Sequence, residues 1–236
     1  IIAENDEIEA ISHDQATPDN LKSFMGTDLI VKVLGADFIS AGHGASIMYN
    51  IKNKSVSIWN TEVPIPIGIW RGVGMFPNAF AIESFINELA HRTKKDPFAF
   101  RIGLLQDEDK ISVRSKKVLE TLKEKSGWNT PKAEGIGRGI AIGNDRKTIA
   151  AAAIEVAIVE GNIVVKKVTQ VMDVGVSINP EGIKQQIEGA TMMGIGAALY
   201  EEVTVKDGQI EQSYFSQYPM VTLADTPEIT CIILAG

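Results

Sequence analysis

Between residues 78 and 91 apolar side chains return every three or four positions. Ile82, Phe85, Ile86 and Leu89 share one face, which predicts an amphipathic helix. Asp96-Pro97 supplies a cap and a first helical residue for a second, shorter helix carrying Phe98, Arg101, Leu104 and Leu105. A third helix is predicted over 112–125, with Val118, Leu119 and Leu122 facing inward. Alternation at Ser55-Val56-Ser57-Ile58-Trp59 predicts a half-buried strand, and the apolar runs at 7–13 and 29–34 also read as strands. Glycines at 127, 135, 137 and 139, with Pro131, mark a linker or an extended segment.

The last hundred residues read as one unit. Residues 148–160 and 163–174 form a predicted β-hairpin across Glu160-Gly161-Asn162. The alanines at 150–153 argue for helix, but Glu155, Ala157 and Val159 alternate with Val156, Ile158 and Glu160, which supports the strand. Asn179-Pro180 starts a helix through Ile183, Ile187, Ala190 and Gly194. Glycines at 189, 194 and 196 each cost it about 1 kcal/mol relative to alanine, so close contact with a backbone or ligand is expected. A second hairpin over 202–213 and a last strand over 228–234 follow. The expected fold is a mixed α/β (α+β) structure with the two hairpins packed against the Asn179 helix. Three segments are read, 1–62, 63–134 and 135–236, forming one or two domains.

Composition narrows the function classes. Hydrophobic residues make up 44% of the 236, enough for a core. The formal charge of -7, with no basic patch interleaved with aromatics, disfavours a nucleic-acid partner. The one cysteine, Cys231, lies in an apolar run and reads as a small hydrophobe rather than a nucleophile. His13, His43 and His91 lack metal-ligand spacing, so no protein-held metal is expected. No stretch is long and apolar enough to span a bilayer. Gly42-His43-Gly44 reads as a flexible loop in preference to a functional one.

The first candidate site is Trp70-Arg71-Gly72-Val73-Gly74, running on through Met75, Phe76 and Pro77 to Asn78. Two glycines just before a helix let backbone N–H groups converge at its positive end, and Arg71 adds a full charge. A bound phosphate or oxo group is one reading; a tight turn with a surface arginine is the other. The third glycine of a dinucleotide fingerprint is missing. A second candidate is Met172-Asp173-Val174-Gly175 with Asn179-Pro180 and Gln186-Ile187-Glu188-Gly189. Asp173 suits a strand-end acid that ties down the following loop. Gln186 and Glu188 fall on different helix faces and cannot both point at one small ligand. Glu83 reads as a partly buried helix carboxylate bonded to nearby backbone, or as a catalytic acid. No serine–histidine–acid set can be assembled.

Taken in order, these segments resemble a known group. They are Trp70-Arg71-Gly72-Val73-Gly74, the run from Asn78 to Ala90, Lys95-Asp96-Pro97-Phe98, Gly137-Arg138-Gly139, Met172-Asp173-Val174-Gly175 and Gln186-Ile187-Glu188-Gly189. The chain resembles the molybdenum-cofactor-binding subunit of the xanthine dehydrogenase/aldehyde oxidase superfamily. Within it, the nearest group is the large subunit of isoquinoline 1-oxidoreductase and related membrane-associated aldehyde dehydrogenases. The resemblance implies a molybdopterin-type cofactor and hydroxylation of aldehydes or nitrogen heteroaromatics with water as oxygen source. It also implies an electron-accepting two-iron, two-sulfur subunit. By the same resemblance Arg71 stands beside the molybdenum, while Gly72, Val73, Gly74 and Asn78 contact the cofactor. Glu83, Asp173, Gln186 and Glu188 support the site.

Val73 replaces an aromatic residue that stacks on purine substrates, which implies a different substrate. The pterin-holding methionine-glutamine-glycine segment and the glutamate of a Gly-Glu-Pro segment are absent from these residues. The expectation is a central fragment of a longer subunit that does not retain cofactor or turn over by itself. Its partners would be the remaining segments of that subunit, with self-association when isolated. The segment itself is expected to be soluble, with the parent cytoplasmic or periplasmic and membrane-associated.

Overall fold

In the computed structural model, which describes Ile2 and residues 7–234, the alternating Ser55–Trp59 stretch pairs with a strand near the start of the chain. These are β1 (Ala10–Thr17) and β2 (Asn53–Asn60), parallel, with Ala10 opposite Asn53. Two short helices lie between them, α1 (Asn20–Met25) and α2 (Leu29–Leu34). The strand expected at 29–34 is therefore a helix. Leu29 N–H donates to Thr27 Oγ1, Lys32 pairs with Asp28 one turn back, and Gly35 closes the helix in the left-handed region at φ 81°. A short apolar run cannot separate helix from strand by periodicity, and the flanking polar residues decide it here. The strand read at 7–13 begins later, at Ala10.

Helix α3 (Met75–Arg92) and α4 (Pro97–Gly103) follow as the periodicity predicts, the latter capped by Asp96 at 2.9 Å to Ala99 N. Their junction holds the main polar feature of the first compact unit, Ile1–Gln106. Arg101 is fully buried, and its Nε donates to Glu83 Oε2 at 2.9 Å. Its other nitrogens donate to Asn87 Oδ1, Pro97 O and Glu83 O. The Tyr49 hydroxyl donates to Glu83 Oε1 at 2.7 Å. Burial, and then the Glu83 charge, push the Tyr49 phenol well above its ordinary range, so it stays protonated as that donor.

The second unit, Asp107–Gly236, is built on α5 (Lys110–Lys125), β3 (Ile136–Asp145), β4 (Thr148–Val159) and β5 (Asn162–Asp173). Next come α6 (Pro180–Leu199), β6 (Val205–Lys206), β7 (Gln209–Ile210) and β8 (Glu228–Leu234). The boundary between the units falls inside the 63–134 segment read from the sequence. Four strands form one sheet in the order β3-β4-β5-β8, antiparallel except for the parallel pair β5–β8. The glycine-rich stretch after Pro131 thus proves to be extended, as edge strand β3. In register, Ile149 faces Asp173, Ala151 faces Val171 and Ala153 faces Thr169, so these six side chains share one side of the sheet. All six are buried, and Val118, Leu119 and Leu122 of α5 are buried with them. The alanine run is small because a helix lies close on that side. On the other side α6 packs against β5 and β8, with Thr191 Oγ1 donating to Gln170 Oε1 at 2.9 Å.

The fold is thus mixed α/β with the β4–β5 hairpin packed between helices. The second hairpin is shorter than expected: β6 and β7 pair over two residues each as a separate sheet, around Asp207 and Gly208. Among the described residues no helix is long and apolar enough to cross a membrane.

Removing one partner of a buried ion pair strands the other charge. Arg101→Met should destabilise the chain by about 3–5 kcal/mol in urea denaturation. A loss below about 1 kcal/mol, the surface-pair range, would show that Glu83 is answered by water.

Candidate functional site

The loop before α3 is a chain of tight turns. Val73 N donates to Trp70 O at 2.9 Å and Met75 N to Gly72 O at 3.0 Å. Gly72 sits at φ 88° and Val73 at φ 51°. The left-handed region is costly for a β-branched side chain, by roughly 1–2 kcal/mol, and such strain persists only where surrounding structure enforces it. Gly74 supplies the enforcement. Its N–H donates to Ser40 O at 3.0 Å, and a Cβ there would lie 2.4 Å from both Ser40 O and Ala41 O.

Asn78, one turn into α3, is buried and brackets three segments. Its Nδ2 donates to Ala41 O and His43 O, both at 3.0 Å, and its Oδ1 meets His13 Nε2 at 2.8 Å. Gly42-His43-Gly44 is therefore seated on the start of α3 and is not a free loop. A cleft of about 250 Å³ opens beside these turns, lined by Gln15, Thr17, Trp70, Val73 and Phe76. The N–H groups of Val73, Gly74, Met75 and Phe76 all donate to backbone carbonyls, of Trp70, Ser40, Gly72 and Val73. What the loop offers an anion is the guanidinium of Arg71, which is exposed.

Glu83 lies in the buried pair with Arg101 and Tyr49 described above. Its two carboxylate oxygens accept from the Tyr49 hydroxyl and the Arg101 guanidinium.

In the second unit Asp173 closes β5 and is 4% exposed. Arg114 grips it with two nitrogens, Nε to Oδ2 at 2.9 Å and Nη2 to Oδ1 at 2.7 Å. The guanidinium hydrogen bonds, more than any other cause, hold its carboxyl below the usual aspartate range. Oδ1 also accepts Gly175 N at 3.0 Å, so Asp173 does tie down the loop before α6. Arg114 itself escaped the sequence reading. One signal was available: a cation in the first turns of α5 faces the positive end of the helix and needs a nearby anion.

Asn179 caps α6 through Gly182 N at 3.0 Å. Gln186 and Glu188 are both exposed, and Glu188 is the side that meets β8, where burial and then the Glu188 charge raise the Cys231 thiol. That thiol stays protonated near neutral pH, as expected of a small hydrophobe, although Cys231 is only half-buried. Of Gly189, Gly194 and Gly196, the three glycines within α6 noted from the sequence, only Gly196 is crowded: a Cβ there would lie 2.4 Å from Glu201 Oε1. Gly189 and Gly194 face open space. The bare backbone on α6 and the exposed Arg71 are features that a flat, anionic pterin would suit, each within its own unit.

Residues 112–227 match the molybdopterin cofactor-binding domain family, a span that includes Arg114, Asp173, Gln186 and Glu188 and leaves out Arg71. The chain is 28% identical over 192 residues to isoquinoline 1-oxidoreductase subunit beta of Brevundimonas diminuta, covering 79% of this chain and 24% of that protein. It is 30% identical over 179 residues to a membrane-bound aldehyde dehydrogenase [pyrroloquinoline-quinone] of Gluconacetobacter polyoxogenes, covering 69% of this chain and 23% of that protein. The chain thus spans about a quarter of the length of these relatives. Among solved structures, quinoline 2-oxidoreductase from Pseudomonas putida 86 superposes with a TM-score of 0.69 at 14% identity. That match covers 84% of this chain and 50% of that one, and it bears on the fold alone.

Two glycine substitutions separate crowded backbone from bare backbone. Gly74→Ala should destabilise the chain by more than about 2 kcal/mol, because neither carbonyl can yield cheaply. Gly189→Ala should raise stability by about 0.5–1 kcal/mol, since nothing meets the new methyl. Thermal and urea unfolding read both, and a destabilising Gly189→Ala would mean that this backbone is covered.

The Asp173 pair also fixes a pH dependence. Its folded carboxyl titrates below the unfolded value of about 3.9, so its contribution is complete above that pH and drains as pH falls through the folded value. The stability gap between wild type and Asp173→Asn should shrink from about pH 5 downward. A gap that stays constant into strong acid contradicts this assignment.

Proposed function

Because the chain belongs to the molybdopterin-binding, xanthine-oxidase-type oxidoreductase superfamily, we propose that it forms part of the cofactor-binding body of a molybdenum hydroxylase. The reaction in this reading is oxidation of an aldehyde or a nitrogen heteroaromatic with water as oxygen donor. The observation that carries it is the ordered match over 112–227, joined to a strained turn at Val73 beside an exposed arginine. When bound, the cofactor supplies two-electron redox chemistry and a site for oxygen transfer.

The chain's own residues shape and charge its surroundings. Arg71 stabilises negative charge through its exposed guanidinium. Gly72 and Gly74 let the turn form, and Val73 presents a small apolar wall in place of a ring. Asn78 positions the turn, since both ends of its amide are engaged by β1 and the 40–44 segment. Asp173 fixes the approach to α6, on which Gln186 and Glu188 stand on separate faces. Glu83 acts through Arg101 and Tyr49 on the packing of α3 and α4.

The reading assigns further segments of the same subunit and a two-iron, two-sulfur subunit as partners. The 236 residues alone then neither retain the cofactor nor turn over. A cofactor held from several separated segments loses most of the advantage of placement when only some are present.

A second reading is a non-catalytic structural or assembly module of the same superfamily. Engagement of the four loop amides with backbone carbonyls favours it, since they leave Arg71 as the anion contact that this loop offers.

Metal, pterin and quinone analysis of the purified full subunit, with these residues in place, separates the two. Stoichiometric molybdenum with pterin supports the hydroxylase, and quinone without molybdenum rejects it. In the full subunit, Arg71→Ala should lower turnover about 10²-fold, the scale of losing one preorganised electrostatic donor. Unchanged turnover in that variant removes Arg71 from the site.

A further inference from the structure

We propose that Arg114 is a positioning residue that sets the β5–α6 connection, residues 174–179, and with it the direction in which α6 starts. Its relevance to cofactor contact rests on the function proposed above; its effect on the connection does not.

Four hydrogen bonds leave one guanidinium and reach two segments besides its own helix. Nη1 donates to Lys147 O, in the β3–β4 turn, at 2.8 Å. Nε and Nη2 take the two carboxylate oxygens of Asp173, and Nη2 also reaches Asp173 O at 3.4 Å. The carboxylate passes the constraint on, because its Oδ1 accepts Gly175 N, and Gly175 turns the chain at φ 71°.

The connection has little else to hold it. Of its three large apolar side chains Val174 is half-buried, while Val176 at 87% exposed and Ile178 at 93% exposed supply no hydrophobic anchor. Beyond Val174, where burial contributes little, the polar clamp at one end and the Asn179 cap at the other fix the path. A lysine cannot substitute, since an ammonium lacks the planar fork that spans both carboxylate oxygens while a third nitrogen reaches Lys147 O.

The location gives the clamp a use. Strands β5 and β8 run parallel, with Asp173 beside Leu234, so both deliver their carboxyl ends to this edge of the sheet. Ligands in sheets with parallel strands gather outside such carboxyl ends. A rotation of the connection here would swing α6 and the bare backbone at Gly189 together.

Hydrogen exchange on the full chain tests this, with Arg114→Lys compared against Arg138→Lys. Arg138 also bridges segments of the second unit, binding Glu155 Oε1 at 2.7 Å and Thr130 O at 2.8 Å, so it controls for loss of any arginine clamp. In Arg114→Lys the amides of 174–179 should exchange about tenfold faster, the scale of one lost charge-assisted hydrogen bond, while β3 and β4 change less than about twofold. Arg138→Lys should leave 174–179 unchanged. Unaltered exchange at 174–179 in Arg114→Lys overturns the proposal, and so does a uniform rise across the sheet, which marks a brace without a positioning role. If Arg114→Lys does not fold, Asp173→Asn is read against the same two patterns. Molybdenum and pterin content of the full subunit carrying the same substitutions is the second readout. Loss of both from Arg114→Lys but not Arg138→Lys supports the link to cofactor, and equal content in wild type and Arg114→Lys breaks that link. A wild-type full subunit with neither defeats the hydroxylase reading, and the exchange pattern still decides the role of Arg114.

Discussion

A guanidinium sealed from water must be answered at its nitrogens, and Arg101 imposes that demand on the whole first unit. Its partners are a side chain and a carbonyl of α3, a second α3 side chain and a carbonyl at the start of α4. Tyr49 then completes Glu83 from the segment before β2. Each contact fixes a different piece of chain at one point, so α3 cannot slide without stranding a charge. Once α3 is fixed, Asn78 and Gly74 fix the 40–44 segment and the strained turn follows. The candidate site of this unit therefore inherits its precision from an ion pair that is itself remote from chemistry.

The second unit solves the same problem with less burial. Arg114 with Asp173 and Arg138 with Glu155 each join segments distant along the chain, at opposite ends of β4. Arg138 also lies over the Trp128 ring at 6.0 Å, which ties the end of α5 to the sheet. Between the two clamps the sheet is lined by alanine and threonine, and the helix on it supplies the bulk. Stiff ends and a smooth middle suit a scaffold that holds surfaces in place.

What could be read in the sequence follows from the range of the interactions involved. Helix α3 and the caps Asp96 and Asn179 were legible because period and cap chemistry are local. The alternation at Glu155 to Glu160 rightly outweighed the alanine run, whose small side chains are explained by α5. Strand β3 was less plain because its glycines imitate a linker, and α2 was mistaken because β-branched residues imitate a strand. In the site, Asp173 could be read as a strand-end acid, since Gly175 is two residues away. For Arg114 the helix-end position hints at an anion but does not identify it, since its partner lies 59 residues on. The same holds for Glu83, whose buried role depends on Arg101 and Tyr49, and for Gly74, whose crowding comes from carbonyls over thirty residues earlier.

Cys231 gives the second unit a built-in clock. It is the single thiol of the chain, half-buried on β8 where α6 crosses, and its burial and the Glu188 charge suppress the reactive thiolate. An alkylating reagent therefore reacts faster when α6 lifts from the sheet than when it is packed. The labelling rate of one sulfur atom thus counts openings of that helix, without any introduced probe, and urea or a bound ligand that stiffens the helix will register directly as a change in that count.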